Sequence, residues 1–170
     1  MATVPDEIQD AVRSDDDAAF EALCENEGCC FAVDWREEDQ YLVRYCESVL
    51  QTGRLAAEWA GTDLFVTFGT KRVRVPLTES PADRHITLLA LNEALSPEYE
   101  VRMLYASVGC DAGIFVPLSS DGWSLLEEEA CEVVSRRFHK LTIRPNTYTE
   151  LVEAPVKTGA RPWWRFWARG

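Results

Sequence analysis

One stretch, residues 81–118, constrains the fold of this chain more than any other. Its first part has the spacing of a helix that is apolar nearly all the way round, and such a helix must be covered on more than one side. The apolar residues of this helix are Ile86, Leu88, Leu89, Ala90, Leu91, Ala94 and Leu95. Pro97 is expected to end it, because proline lacks an N–H and restricts the residue before it. The sequence therefore predicts a central buried helix.

Strands are predicted on both sides of this helix. Residues 99–105 and 113–118 follow it and alternate between apolar and polar positions, with a glycine-containing turn between them. Three more strands are predicted before it, separated by connections of hairpin length. These strands are residues 54–60, 64–68 and 71–77. Residues 29–33 form a short apolar run that fits either a strand or a buried connector.

The remaining helices are predicted from apolar periodicity and caps. Two short helices, at 5–12 and 16–26, open the chain, and Ser14 or Asp15 is expected to cap the second. Asp34 and Glu37 have capping-box spacing and predict a helix that extends to about residue 51. Asp121 is expected to cap a last long helix. The predicted buried stripe of that helix is Trp123, Leu126, Ala130, Val133, Val134 and Phe138.

This order of elements predicts an α+β fold. We expect an antiparallel sheet of about five strands, with a β-β-β-α-β-β-α core and the N-terminal helices packed on it. Residues 1–141 are predicted to form one domain. Residues 142–170 form an irregular tail with three prolines, which we expect to be docked on that domain.

Charge is the main guide to partners. The chain has 17 Lys and Arg against 29 Asp and Glu, a formal net charge of −12. Nucleic acid is therefore not expected as a ligand, because phosphate binding needs a basic surface. A basic protein partner is expected instead, and solubility alone is the alternative explanation of the charge. Residues 1–17 lack the basic and apolar regions of a signal peptide, so we expect a cytoplasmic protein with six reduced cysteines.

No catalytic constellation is visible in the sequence. His85 and His139 are the only histidines, and no nucleophile motif accompanies them. Cys110 precedes Asp111, which disfavours a thiolate. No metal-ligand spacing and no phosphate-binding loop are present, so we expect no catalytic or metal-binding residues and no cofactor.

Three clusters are the candidate partner-binding residues. Two are acidic faces of predicted helices, and the third lies in the C-terminal tail, where tryptophan and arginine combine as they do at protein interfaces. The residues are Glu37, Glu38 and Asp39; Glu127, Glu128, Glu129 and Glu132; and Trp163, Trp164 and Trp167. The tail has three interpretations: folding back on the domain, contact with a partner, or contact with a membrane. Stable membrane insertion is not expected from one short segment.

The order of elements over residues 37–141 resembles the fold of type III secretion chaperones and of the YbjN-like proteins. Residues 84–123 are also similar to a group of proteobacterial proteins, some of which act in polymorphic-toxin immunity. These resemblances imply a non-enzymatic binding module, foremost an immunity-type inhibitor of a cognate basic toxin domain. The alternative is a dimeric, acidic secretion chaperone for an effector protein. A second alternative is an enzyme with an unrecognised cysteine or histidine site.

Overall fold

The computed structural model describes residues 4–151, and in them helices and strands form the α+β fold predicted from the sequence. The five helices are α1 (Asp6–Ser14), α2 (Asp17–Cys24), α3 (Asp39–Leu50), α4 (Asp83–Leu95) and α5 (Ser120–Arg137). The seven strands are β1 (Phe31–Asp34), β2 (Leu55–Ala60), β3 (Asp63–Phe68), β4 (Lys71–Val75), β5 (Tyr99–Leu104), β6 (Ala112–Ser119) and β7 (Phe138–Lys140). A short 3₁₀ turn, Tyr105–Ser107, follows β5.

The strands form two antiparallel sheets instead of the single predicted one. One is the meander β2-β3-β4, and the other has the order β1-β6-β5-β7. The five predicted strands are all present, but α4 separates the first three from the last two. The short apolar run after residue 28 contains the strand β1. Strand β7 begins at Phe138, which the sequence pattern places in the last helix. A strand of three residues is too short to show a period of two, so the pattern did not reveal it.

Helix α4 lies at the centre of the larger core. Its leucines and alanines pack with β3 and β4 of one sheet and with β5 of the other, as the apolar circumference predicted. The opposite face of the four-stranded sheet is covered by α1, α2 and α5, which form a second core around Trp123 and Phe138. The four-stranded sheet therefore lies between two apolar layers, and burial of α4 joins the two sheets.

Polar side chains of α4 hold their neighbours in place. The Asn92 side chain accepts a hydrogen bond from the Val101 N–H (2.6 Å) and donates one to the Val101 carbonyl (2.9 Å). The Asp83 carboxylate accepts hydrogen bonds from the backbone N–H groups of Thr78 (2.9 Å) and Ser80 (3.2 Å). Asn92 thus supplies partners to the buried Val101 backbone, and Asp83 holds the loop that leads into α4.

The predicted helix caps are corrected by the structure. Helix α3 begins at Asp39, later than the capping-box spacing implied, because the Asp34 carboxylate binds Arg36 instead (2.7 Å). Ser119, and not Asp121, caps α5, since its hydroxyl accepts a hydrogen bond from the backbone N–H of Gly122 (3.0 Å). Neither Ser14 nor Asp15 occupies the cap position of α2, which is that of Asp16.

A buried ion pair joins α3 to α4. Arg84 donates from Nε to the Asp39 carboxylate (2.7 Å), and the Thr87 hydroxyl donates to the same group (2.7 Å). A second Arg84 nitrogen donates to the Glu37 carbonyl. Asp39 is only 6% exposed, so the prediction that it lies on the exposed side of its helix is wrong. Its burial is possible because α4 supplies a matching charge and a hydroxyl.

The start of the predicted tail packs on the domain. Residues 142–151 contain no helix or strand, but Asn146 and Thr147 are buried. The Tyr148 hydroxyl donates to the Val33 carbonyl of β1 (3.2 Å). The rest of the predicted tail, with Trp163, Trp164 and Trp167, lies outside the described residues.

Removing the cation of the buried pair should be costly. Arg84→Met keeps an aliphatic chain but leaves the Asp39 carboxylate without its partner, so we expect a loss of about 3–5 kcal/mol in the free energy of unfolding. Arg74→Met is the matched control, because its pair with Asp63 (2.7 Å) is exposed and should contribute roughly 1 kcal/mol or less. Urea denaturation measures both, and similar losses in the two variants would contradict this role for the buried pair.

Candidate partner-binding surface

The outer side of α3, the turn before it and the end of β2 form a surface of exposed and half-buried aromatic and acidic side chains, which we call the α3 surface. The inner side of the same helix buries Leu42, Val43 and Cys46 against the larger core, and this fixes which side faces outward. The α3 surface comprises Trp35, Glu37, Glu38, Tyr41, Tyr45 and Trp59.

Two tryptophans on this surface are unusually exposed. Trp35 is 45% exposed and Trp59 is 49% exposed. The Trp59 indole N–H donates to the Gln40 side chain, which in turn donates to the Glu38 carboxylate (2.7 Å). Tryptophan is the side chain most enriched among residues that dominate binding at protein interfaces. The aromatic part of this surface is therefore suited to burial against a partner.

The tyrosines of α3 extend the aromatic area along the helix. Tyr41 and Tyr45 are one turn apart and stack with their ring centroids 6.2 Å apart. The Arg44 guanidinium lies 5.4 Å from the centre of the Tyr41 ring. Burial raises the pKa of Tyr45, and the nearby Glu37 carboxylate adds to this effect. Both rings are thus fixed by neighbours before any partner binds.

The carboxylates of the α3 surface keep their charge available. Among the described residues, neither Glu37 nor Glu38 forms an ion pair. The predicted third member of this cluster, Asp39, is buried against Arg84 and does not reach the surface. Of these three predicted residues, Glu38 is therefore exposed, Glu37 is half-buried and Asp39 is buried.

The second predicted acidic face, on α5, is partly neutralised by the protein itself. Glu127 accepts hydrogen bonds from the buried Arg102 (2.7 Å) and pairs with Lys140 (2.9 Å), and these cations lower its pKa. Glu129 pairs with Arg13 (2.6 Å). Glu128 and Glu132 are exposed and form no ion pair among the described residues.

The two tryptophans were not identified as candidates from the sequence. Trp59 occupies an inward-facing position of β2, opposite Leu64, and its alternation predicts a core residue. It is exposed near the end of the edge strand β2, where its indole reaches the Gln40 side chain of α3. The exposure of Trp59 depends on where the sheet ends, and contacts between residues far apart in the sequence decide where that is.

Two concavities lie beside the α3 surface. A groove of about 560 Å³ runs between β1, the end of α2 and α3, and its lining includes Glu37 and Tyr45. A second concavity of about 350 Å³ lies on the other side, between Trp35, Leu77 and Pro81. The α3 surface is thus flanked by space for side chains of a partner.

The histidines are used structurally. Thr147 donates its N–H to Nδ1 of His85 (3.3 Å), so Nε2 carries the proton and donates to the Thr142 carbonyl (2.9 Å). Nδ1 of His139 lies 3.1 Å from the Tyr105 hydroxyl, and its buried Nε2 has no hydrogen-bond partner among the described residues. Neither histidine lines the two concavities beside the α3 surface.

Several thiols of the domain are held in their protonated form. Burial raises the pKa of Cys24 to about 12 and that of Cys30 to about 11. Burial, together with Asp111, raises the pKa of Cys110, in the direction that the sequence predicted. A protonated thiol is a poor nucleophile and a poor metal ligand.

Neither a metal-binding cluster nor a membrane-spanning helix is present in residues 4–151. No group of three or more histidine, cysteine, aspartate or glutamate side chains in this range is placed to hold a metal ion. None of the helices in the same range combines the length and apolar character that a bilayer crossing requires.

Comparisons of the chain with protein-family models, with curated proteins and with solved structures found no match in any of the three. The resemblance to secretion chaperones, from the order of elements, and that of residues 84–123 to immunity proteins therefore stay predictions.

The histidine contacts predict a stability that falls in mild acid. Burial lowers the pKa of both His85 and His139. The unfolded chain, with histidine pKa values of about 6.5, therefore takes up protons first as the pH falls. The two histidines contribute fully to the free energy of unfolding at a pH above their unfolded-state pKa. This contribution is lost as the pH falls toward their lowered native-state pKa values.

Urea denaturation between pH 7.5 and 5 measures this loss. We expect His85→Gln to make the decline less steep than in the parent protein, and His85→Gln/His139→Gln to flatten it further. An equal slope in all three proteins would show that neither histidine controls the acid sensitivity.

Proposed function

We propose that the protein is a non-enzymatic binding module that captures a basic protein partner through the α3 surface. One observation carries this proposal: exposed tryptophans lie beside carboxylates that form no ion pair within residues 4–151. We propose further that it acts as an immunity-type inhibitor of a cognate bacterial toxin domain. That assignment is supported by the predicted resemblance of residues 84–123 and by the net charge of −12.

The two parts of the surface would act at different stages of binding. The charge of the protein, and of Glu37 and Glu38 in particular, accelerates encounter with a basic partner by electrostatic attraction. Trp35 and Trp59 then lose their exposed area to the partner and slow its dissociation. An enzyme that acts on nucleic acid needs a basic cleft, so an acidic surface seated in that cleft excludes the substrate.

The binding surface is rigid before the partner arrives. The Asp39–Arg84 pair and the buried side of α3 fix the helix on the core, and hydrogen bonds and stacking fix its outer rings. A preorganised surface loses less conformational entropy on binding than a flexible one. This favours an inhibitor that binds tightly to one partner.

A second candidate, a secretion chaperone, is supported by a different observation. Strand β1 is an edge strand beside a groove, which is a geometry suited to an extended segment of a client protein. The chaperone hypothesis predicts a stable dimer and a client captured in an unfolded state. Light scattering of the purified protein, with and without the captured partner, separates the two candidates.

The proposed function is tested by affinity capture from the native host at low and moderate salt, with three forms of the protein as bait. We expect the parent protein to retain one basic domain at both salts. Glu37→Lys/Glu38→Lys should lose it, and its association rate with the purified partner should fall roughly tenfold or more at low salt. The control Glu128→Lys/Glu132→Lys makes the same change of charge on α5 and should keep the partner.

Equal losses in the two charge-reversed variants would show that total charge, and not the α3 surface, determines binding. If the parent protein retains no specific partner at either salt, the binding-module proposal fails.

A further inference from the structure

Strand β1 has one edge that pairs with β6 and one edge that is open. The Trp35 N–H donates to the Asp111 carbonyl, so the ladder bonds of β1 involve Phe31 and Val33, opposite Phe115 and Gly113. The N–H and C=O of Ala32 and the N–H of Asp34 therefore point to the other side, because alternate residues of a strand face opposite edges. Ala32 is exposed, and in residues 4–151 these three groups have no hydrogen-bond partner.

The open edge lies in the 560 Å³ groove, which we call the β1 groove. Its deeper lining is apolar and includes the buried Cys30 and Phe31 and the half-buried Ala112. Its outer lining is acidic and includes the exposed Glu25 and Glu27 as well as Glu37. Asp34 also lines the groove but is paired with Arg36, and no lysine or arginine of residues 4–151 lines it.

We propose that the β1 groove binds an extended, basic segment of the partner protein, which adds to the open edge of β1 as a further strand. This inference rests on the proposed function and assigns it a second contact beside the α3 surface, since Glu37 and Tyr45 belong to both. The backbone of the segment pairs with Ala32 and Asp34. Its side chains alternate, with apolar ones on the groove floor and lysine or arginine against Glu25, Glu27 and Glu37.

The charge of the groove selects among the possible occupants. A second copy of this chain could pair through the same edge, but it would bring Glu25 and Glu27 of both copies together, and like charges at an interface oppose association. A basic segment instead meets Glu25, Glu27 and Glu37, which form no ion pair within residues 4–151. Apolar side chains at alternate positions cover the floor that a purely polar segment would leave unfilled.

The probe is a capped nine-residue peptide of alternating valine and lysine, added at up to millimolar concentration to the isotope-labelled full chain. NMR shifts of backbone amides locate the site. We expect the largest changes at Ala32, Asp34 and the rest of the groove, and a slower hydrogen exchange of the Ala32 amide. The same peptide methylated on every backbone nitrogen keeps its charge but cannot pair with an edge, so it should not produce these changes.

Two variants at one position separate strand addition from attraction by charge. Ala32→Pro removes an N–H that the ladder with β6 does not use, and proline is tolerated at such edge positions. We expect it to bind the peptide roughly 2- to 10-fold more weakly, the effect of losing one hydrogen bond. Ala32→Val keeps the N–H and should bind like the parent protein. Unchanged exchange of the Val33 amide confirms that each variant folds.

Several results would overturn the proposal: no binding of the peptide, shifts centred outside the groove, or equal affinity of Ala32→Pro and Ala32→Val. An Ala32 amide that is already protected without peptide would show that another part of the chain occupies the edge. A dimer that Ala32→Pro dissociates would show that a second copy does.

The outcomes also separate this inference from the proposed function. If the partner captured from the host depends on Glu37 and Glu38 but binds Ala32→Pro normally, strand addition fails and the α3 surface stands. If the peptide binds the β1 groove and no partner is captured, the groove stands and the binding-module proposal fails.

Discussion

Burial of α4 between the two sheets is the constraint on which the rest of the structure depends. Eight of its thirteen residues are buried, and they contact strands of both sheets. In isolation, a helix of this composition would expose apolar side chains on every side. Separating either sheet from α4 would therefore cause a large loss of hydrophobic stabilisation. Its polar residues serve the same end, because Asp83, Asn92 and His85 give partners to backbone groups around it.

The position of the candidate binding surface follows from that burial. Arg84, in the first turn of α4, holds Asp39 at the first turn of α3, while the apolar side of α3 joins the same core. The outer side of α3 is then left with its aromatic and acidic side chains facing solvent. Two acidic side chains of α5 form ion pairs within the domain instead. Arg102 and Lys140 pair with Glu127, and Arg13 pairs with Glu129. Local structure therefore decides which part of a uniformly acidic chain presents free charge to a partner.

The sequence predicted those features that depend on neighbours along the chain. The period of two located five strands, and the apolar circumference of residues 86–95 identified α4 as buried on several sides. The division into two sheets was not predicted, because pairing between β1 and β6 or between β5 and β7 joins segments more than thirty residues apart. Phe138 continued an apolar stripe and so was assigned to the helix instead of to β7.

In the candidate site, too, the sequence predicted what neighbours along the chain decide and missed what distant contacts decide. Glu37 and Glu38 were identified from their charge and from their place opposite the apolar stripe of the predicted helix. Asp39 was placed wrongly because its partner, Arg84, is 45 residues away. Trp59 was missed because its alternation is that of a core residue, and only the edge of the sheet leaves it exposed. Long-range pairing, which composition and periodicity do not encode, decides both cases.

The most direct test of the central claim is backbone hydrogen exchange of the full chain, alone and in complex with the basic partner captured from its host. If the α3 surface is the interface, backbone amides exchange more slowly in the complex in residues 31–45 and at the end of β2 around Trp59, while exchange in α5 is unchanged. Protection centred on residues 127–132, or no change near α3, would contradict it.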